Sequence, residues 1–154
     1  MNAETQHIHW TASLSTELQS VDEQHQKIIE SANTALDALQ GDDGLAAAIP
    51  HIETLIAETR AHFAHEEQLM RNIAFPAYPE HKVQHDRLLE EITDYMLELD
   101  LEQSAEELQV LINFLKFWVV RHMSQSDTQI RDFILRPEHD LQTNAWKNHI
   151  PEAP

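Results

Sequence analysis

Histidine falls on the apolar stripe of every long helical segment in this chain, and that pattern limits what the chain can fold into. Val21, His25, Ile28, Ala32, Ala35 and Leu39 recur at spacings of four and three, the period of one helix face. A second stripe carries Leu55, Thr59, His62, Glu66, Leu69 and Ile73. A third carries His81, His85, Leu88, Ile92, Tyr95 and Leu99, and a fourth Leu108, Leu111, Leu115, Trp118 and His122. Five of the eleven histidines therefore face one interior, together with Glu66. Burying a polar ring without a partner costs about 1–3 kcal/mol. Five such rings would consume most of the roughly 5–15 kcal/mol that holds a domain folded. They must share partners, and a metal ion is the most compact one, because neutral imidazole is a common metal ligand.

The ends of these segments are marked. Ser20-Val21-Asp22-Glu23 and Ser104-Ala105-Glu106-Glu107 read as capping boxes, with Ser at the N-cap and Glu three residues later. Gly41 is a candidate for the residue just past the first helix. The second helix starts at Leu45 or Pro50, with Pro50 best placed in its first turn, and runs to Ile73. Pro79 suits the first turn of the third helix, and the fourth stops before Pro137. Residues 1–19 show no sustained period; Trp10, Leu14 and Leu18 suit an arm packed along the other helices. Helices of about 20 residues span about 30 Å, and short connections force antiparallel neighbours. The expected fold is all-α: an up-down-up-down four-helix bundle over residues 1–136, with an N-terminal arm and an irregular C-terminal tail over 137–154.

Composition removes several functions. With 27 acidic against 10 basic residues and a net charge of -17, the chain is a poor partner for nucleic acid or an anionic membrane. No cysteine is present, which rules out disulfides, iron–sulfur clusters and thiolate metal sites. Phe114 to Val120 is the longest apolar candidate, and Lys116 interrupts it well short of a membrane span. The first residues lack the basic and apolar regions of a signal peptide. Cytoplasm is the expected location and a monomer the expected state.

Ligand chemistry narrows the metal. His62 with Glu66, and His81 with His85, each stand four residues apart and aim two donors at one spot. Nitrogen-rich sites with a carboxylate suit iron, zinc, copper or nickel rather than calcium or magnesium. Five imidazoles exceed what one tetrahedral zinc uses, so two metals bridged by carboxylate are expected. His65-Glu66 begins a zinc-protease pattern, but Leu69 stands where its second histidine belongs. A ferritin-like site needs Glu-x-x-His twice, and the inward stripes hold none. His65 lies off the stripe and is expected to be a bystander, as are His7, His9, His51, His139 and His149.

The runs Val21-Asp22-Glu23-Gln24-His25, His62-Phe63-Ala64-His65-Glu66-Glu67 with Met70, Tyr78-Pro79-Glu80-His81-Lys82-Val83-Gln84-His85, and Trp118-Val119-Val120-Arg121-His122 with Asp127 resemble the hemerythrin family, specifically its single-domain bacterial members. Trp10 and Asn33 also fit, and the resemblance covers residues 10–130. It implies two iron ions with an oxo or hydroxo bridge. His25 and His62 would hold one iron, and His81, His85 and His122 the other. Glu66 and Asp127 would bridge them. Dioxygen would bind reversibly as hydroperoxide at the two-histidine iron, for carriage, storage, delivery or sensing. Phe63, Trp118, Val119 and Met123 would line its pocket, dry enough to suppress further chemistry. On this reading the protein binds oxygen and is not an enzyme. The alternative is a di-iron oxidase, peroxidase or nitric-oxide-handling enzyme on the same ligands; a metal-free interaction module is a third reading. Asp127, five residues after His122, lies off the helical stripe and needs a helix bulge or a side chain reaching around. Asp22, Glu23, Gln24, Gln84, Gln125 and Gln129 are the candidates for orienting the imidazoles.

Overall fold

In the computed structural model, residues 6–125 and 127–135 are described. The chain forms a 3₁₀ turn (Ala12–Leu14) and then helices α1 (Gln19–Leu39), α2 (Gly44–Asn72), α3 (Tyr78–Glu98), α4 (Ala105–Gln125) and α5 (Asp127–Ile134). No strand occurs among the described residues. The architecture is the expected all-α four-helix bundle with an N-terminal arm. The tail expected over 137–154 lies outside the described residues.

Local chemistry explains most of the helix ends. Ser104 caps α4, its Oγ accepting the Glu107 N–H at 3.1 Å. The first expected capping box does not form. Helix α1 starts at Gln19 with Leu18 at the N-cap and no side-chain cap. Asp22 turns to the arm instead, accepting from Ser15 Oγ at 2.6 Å, Thr16 N–H at 2.7 Å and Thr16 Oγ1 at 2.8 Å. A carboxylate with three donors in reach outcompetes a Ser20 hydroxyl. Pro50 lies inside α2 rather than in its first turn. Pro50 and Ala46, whose carbonyl loses its N–H partner, are both exposed, so the loss falls on the water-facing side. Of the two glycines, Gly44 rather than Gly41 takes the left-handed conformation, at φ 48°.

The arm is fixed by Asn33, whose side-chain amide accepts the Ile8 N–H at 2.7 Å and donates to the Ile8 carbonyl at 3.0 Å. Helix α2 ends in a Schellman turn. The Phe75 N–H reaches the Met70 carbonyl at 2.9 Å and the Ala74 N–H the Arg71 carbonyl at 3.2 Å. Ala74 holds the left-handed position at φ 53°, where glycine is the usual occupant.

Two apolar clusters fill the interior. The larger includes Leu36, Leu39, Ile52, Leu55, Ile92, Leu111 and Leu115. The smaller gathers Val21, Leu69, Met70, Phe75, Ile130 and Ile134. Helices α1, α2 and α3 each run from one to the other, and the polar stripe residues fall at the crossing. His25 lies between Val21 and Ile28, Glu66 between Phe63 and Leu69, and His85 just before Leu88. The seam between the clusters is the site.

Candidate metal centre

Helix α1 supplies His25, α2 supplies His62 and Glu66, and α3 supplies His81 and His85. His25, Glu66 and His85 have no exposed surface, and His62 and His81 almost none. The Glu66 carboxylate stands at the middle. Its Oε2 lies 2.7 Å from His62 Nε2 and 3.8 Å from His25 Nε2. Its Oε1 lies 2.7 Å from His81 Nε2 and 3.3 Å from His85 Nε2. The His25 and His62 Nε2 atoms are 2.8 Å apart. Two donor groups result, His25–His62–Glu66 and Glu66–His81–His85, each with its ligand atoms within 4.8 Å of one another. The carboxylate belongs to both. The i, i+4 spacing within α2 and within α3 produces this directly. His122 lies on α4 and Asp127 opens α5, but both side chains lie outside the described set.

Four buried imidazoles around one buried carboxylate suit a metal on chemical grounds. Neutral Nε2 lone pairs and carboxylate oxygens converge, and an apolar shell lets them be satisfied only by one another or by a cation. The rings are also clamped by packing. Phe63 stacks on His85 with centroids 3.8 Å apart and planes 1° from parallel. His25 and His62 meet edge to face, as do His81 and His85.

A cavity of about 10 Å³ opens beside His62, lined also by Ile28, Thr59, Phe63, Leu88, Trp118, Val119 and Met123. The four residues expected to line a pocket, Phe63, Trp118, Val119 and Met123, thus share one wall. Ile28, Thr59 and Leu88 were not anticipated from the sequence. The volume matches about one water-sized molecule. The Trp118 indole N–H donates to the Leu88 carbonyl at 2.8 Å and the Thr59 hydroxyl to the Leu55 carbonyl at 2.8 Å. Both polar lining groups direct their hydrogens into backbone, so His62 is the polar feature facing the space.

The groups behind the imidazoles differ from those foreseen. Gln24 does pair with one of the central imidazoles, its Oε1 lying 2.7 Å from His62 Nδ1. Glu67 was missed. Its Oε2 lies 2.8 Å from His85 Nδ1. Asp22 serves the arm, Glu23 accepts from Gln19 Nε2 at 2.9 Å, and Gln129 is exposed. The Gln125 side chain lies outside the described set. His65, outside both donor groups, is buried, three positions from His62 and so on the flank of the same face. Burial, and then the neighbouring His62, hold its imidazole below the ordinary histidine range. Outside the centre, exposed Lys82 has its ammonium raised by its hydrogen bond to Asp86 and by Glu67.

A four-helix bundle whose seam holds two imidazole groups on one shared carboxylate defines a metal-binding helical-bundle protein. The family pattern described as the hemerythrin HHE cation binding domain matches residues 16–133. The chain is 32% identical over 136 residues to a bacteriohemerythrin of Pseudomonas paraeruginosa, covering 88% of this chain and 86% of that relative. It is 29% identical over 142 residues to a bacteriohemerythrin of Stenotrophomonas maltophilia, covering 89% and 90%. To the myohemerythrin of Sipunculus nudus it is 25% identical over 118 residues, covering 77% and 86%. The chain belongs to the hemerythrin family. Among the described residues, no helix is long and apolar enough to cross a membrane.

Proposed function

We propose that this protein binds dioxygen reversibly at a pair of iron ions. The observation that carries the proposal is the placement of Glu66, one oxygen toward His25 and His62 and the other toward His81 and His85. His122 would complete the second group, and Asp127 would bridge the two ions alongside Glu66 and an oxo or hydroxo group. The ions, when bound, supply the electrons that dioxygen takes up and later returns.

The chain's own residues do the rest. The apolar cavity at His62 favours a small neutral diatomic over charged or bulky ligands, on volume and on lining. Phe63, Trp118, Val119 and Met123 exclude the water and reductants that would carry the reaction further. Gln24 accepts the His62 Nδ1 proton and Glu67 the His85 Nδ1 proton, so both rings present Nε2 lone pairs inward. Among the described lining residues His62 is the one ionisable side chain, and the Thr59 hydroxyl is bound to the Leu55 carbonyl, which favours binding over turnover.

The test is iron analysis followed by absorption spectroscopy. Anaerobic protein reconstituted with ferrous iron should hold two irons per chain, gain near-ultraviolet and visible charge-transfer bands in air, and lose them under vacuum. Multiple turnovers against a reductant, with no stable oxygenated form, would make it an oxidase instead. Far fewer than two irons per chain would remove the reading altogether.

A further inference from the structure

Among the described side chains, each donor group sets two imidazoles on Glu66, but the groups differ behind those rings. On the His85 side the Nδ1 partner is the Glu67 carboxylate, 2.8 Å away. On the His62 side it is the Gln24 amide oxygen, 2.7 Å away. Both partners accept, so both rings adopt the same tautomer. Only Glu67 brings negative charge. A ring N–H donating to a carboxylate is a charge-assisted bond, shorter and stronger than one to an amide, and it pushes electron density toward the opposite nitrogen. Glu67 is mostly covered, with its other oxygen 3.6 Å from Lys82 Nζ, and Lys82 is shared with Asp86 at 3.1 Å. That arrangement restrains the carboxylate without neutralising it. Gln24 is buried beside His62.

We propose that Glu67 and Gln24 add an electronic difference between the two metal positions to the one His122 would give: Glu67 makes the His81–His85 position tighter and more electron-rich, and Gln24 leaves the His25–His62 position the weaker donor. This rests on the reading of the centre as a two-metal site. Both residues act through the imidazoles and are positioning residues. Their contribution is electronic as well as orienting, which distinguishes them from side chains that merely pack.

Cobalt(II), which is redox-inert under anaerobic conditions, gives a readout independent of oxygen binding. The wild-type chain should take up two cobalt ions in separated steps, the tighter one shifting the His85 ring resonance first. Glu67→Gln keeps an acceptor but removes the charge, and should weaken the tight step about 10-fold. Gln24→Glu should tighten the other step by a similar factor. The double exchange, Glu67→Gln with Gln24→Glu, conserves net charge and should narrow the separation of the two steps about 100-fold, an outcome that simple packing does not produce. Midpoint potentials of the iron-loaded forms should follow, rising for Glu67→Gln and falling for Gln24→Glu. If either single variant fails to fold, the other carries the test, because each moves one step. Two cobalt ions with the separation of the two steps unchanged in the folded variants would overturn this proposal and leave the two-metal reading standing. Fewer than two ions in the wild type would overturn both.

Discussion

Replacing Glu66 with glutamine removes one charge from the middle of the seam and keeps its shape. The amide still reaches the imidazoles, donating to a lone pair on one side and accepting on the other, so the apo fold should survive. Metal binding should not. Each donor group loaded to a hundred times its dissociation constant adds about 2.7 kcal/mol to stability, and two add about 5 kcal/mol. For a chain of this size each kcal/mol moves the melting temperature about 2–4 °C, so full loading should raise it by roughly 10–20 °C. Because Glu66 oxygens approach all four imidazoles, Glu66→Gln should abolish nearly the whole increment. His25→Ala breaks only the His25–His62–Glu66 group and should keep about half. Thermal melts of wild type and both variants, with chelator and with anaerobic ferrous iron, decide the matter. An increment in Glu66→Gln as large as in His25→Ala would mean that the carboxylate is not shared, and the two-group geometry would have to be abandoned.

Other expectations follow from single contacts. Ala74→Gly should stabilise the fold by about 1 kcal/mol, since φ 53° is costly for any residue with a Cβ; a denaturant midpoint that falls would contradict the Schellman assignment. Trp118→Phe removes the indole bond to the Leu88 carbonyl, which keeps its place in the α3 backbone ladder, and should cost about 0.5–1.5 kcal/mol, read from chemical denaturation, and should also speed autoxidation by admitting water. Asp22→Ala releases three hydrogen bonds from Ser15 and Thr16 and should cost about 2 kcal/mol. Limited proteolysis should then cut the arm near residues 15–17 well before the bundle, and unchanged cleavage there would show that Asp22 does not anchor it.

Periodicity carried most of the fold. The stripes named His25, His62, Glu66, His81 and His85, and those five side chains do meet. A stripe reports direction, and in a bundle direction alone brings inward residues together. It fails where competition is local. Ser20 had the sequence of a cap, but Asp22 had better partners six and seven residues back. It fails also at the edges of a stripe. His65 and Glu67 flank the inward line, and whether a flanking side chain is buried depends on how closely the next helix approaches. Glu67 illustrates the limit well: only its pairing with a ring on α3, 18 residues away, reveals it, and no spacing rule within α2 encodes that. The cavity wall was legible because Phe63, Trp118, Val119 and Met123 flank His62 and His122 on the same helices. Ile28 and Leu88 were equally placed, but apolar stripe residues are common enough to give no separate signal.

The turn at residues 73–77 has a consequence for how this protein can vary over time. Glu66 precedes it and His81 follows it, and a 2.7 Å contact joins them across it. Each residue of slip in α3 rotates His81 by about 100° away from the carboxylate. Connections are ordinarily where chains accept insertions and deletions, and the one at residues 40–43 joins helices at the end remote from the histidines. The 73–77 connection is a measured spacer, closed by backbone hydrogen bonds at both ends and pinned by Phe75 against Phe133. Length changes should therefore accumulate at one end of the bundle and be purged at the other.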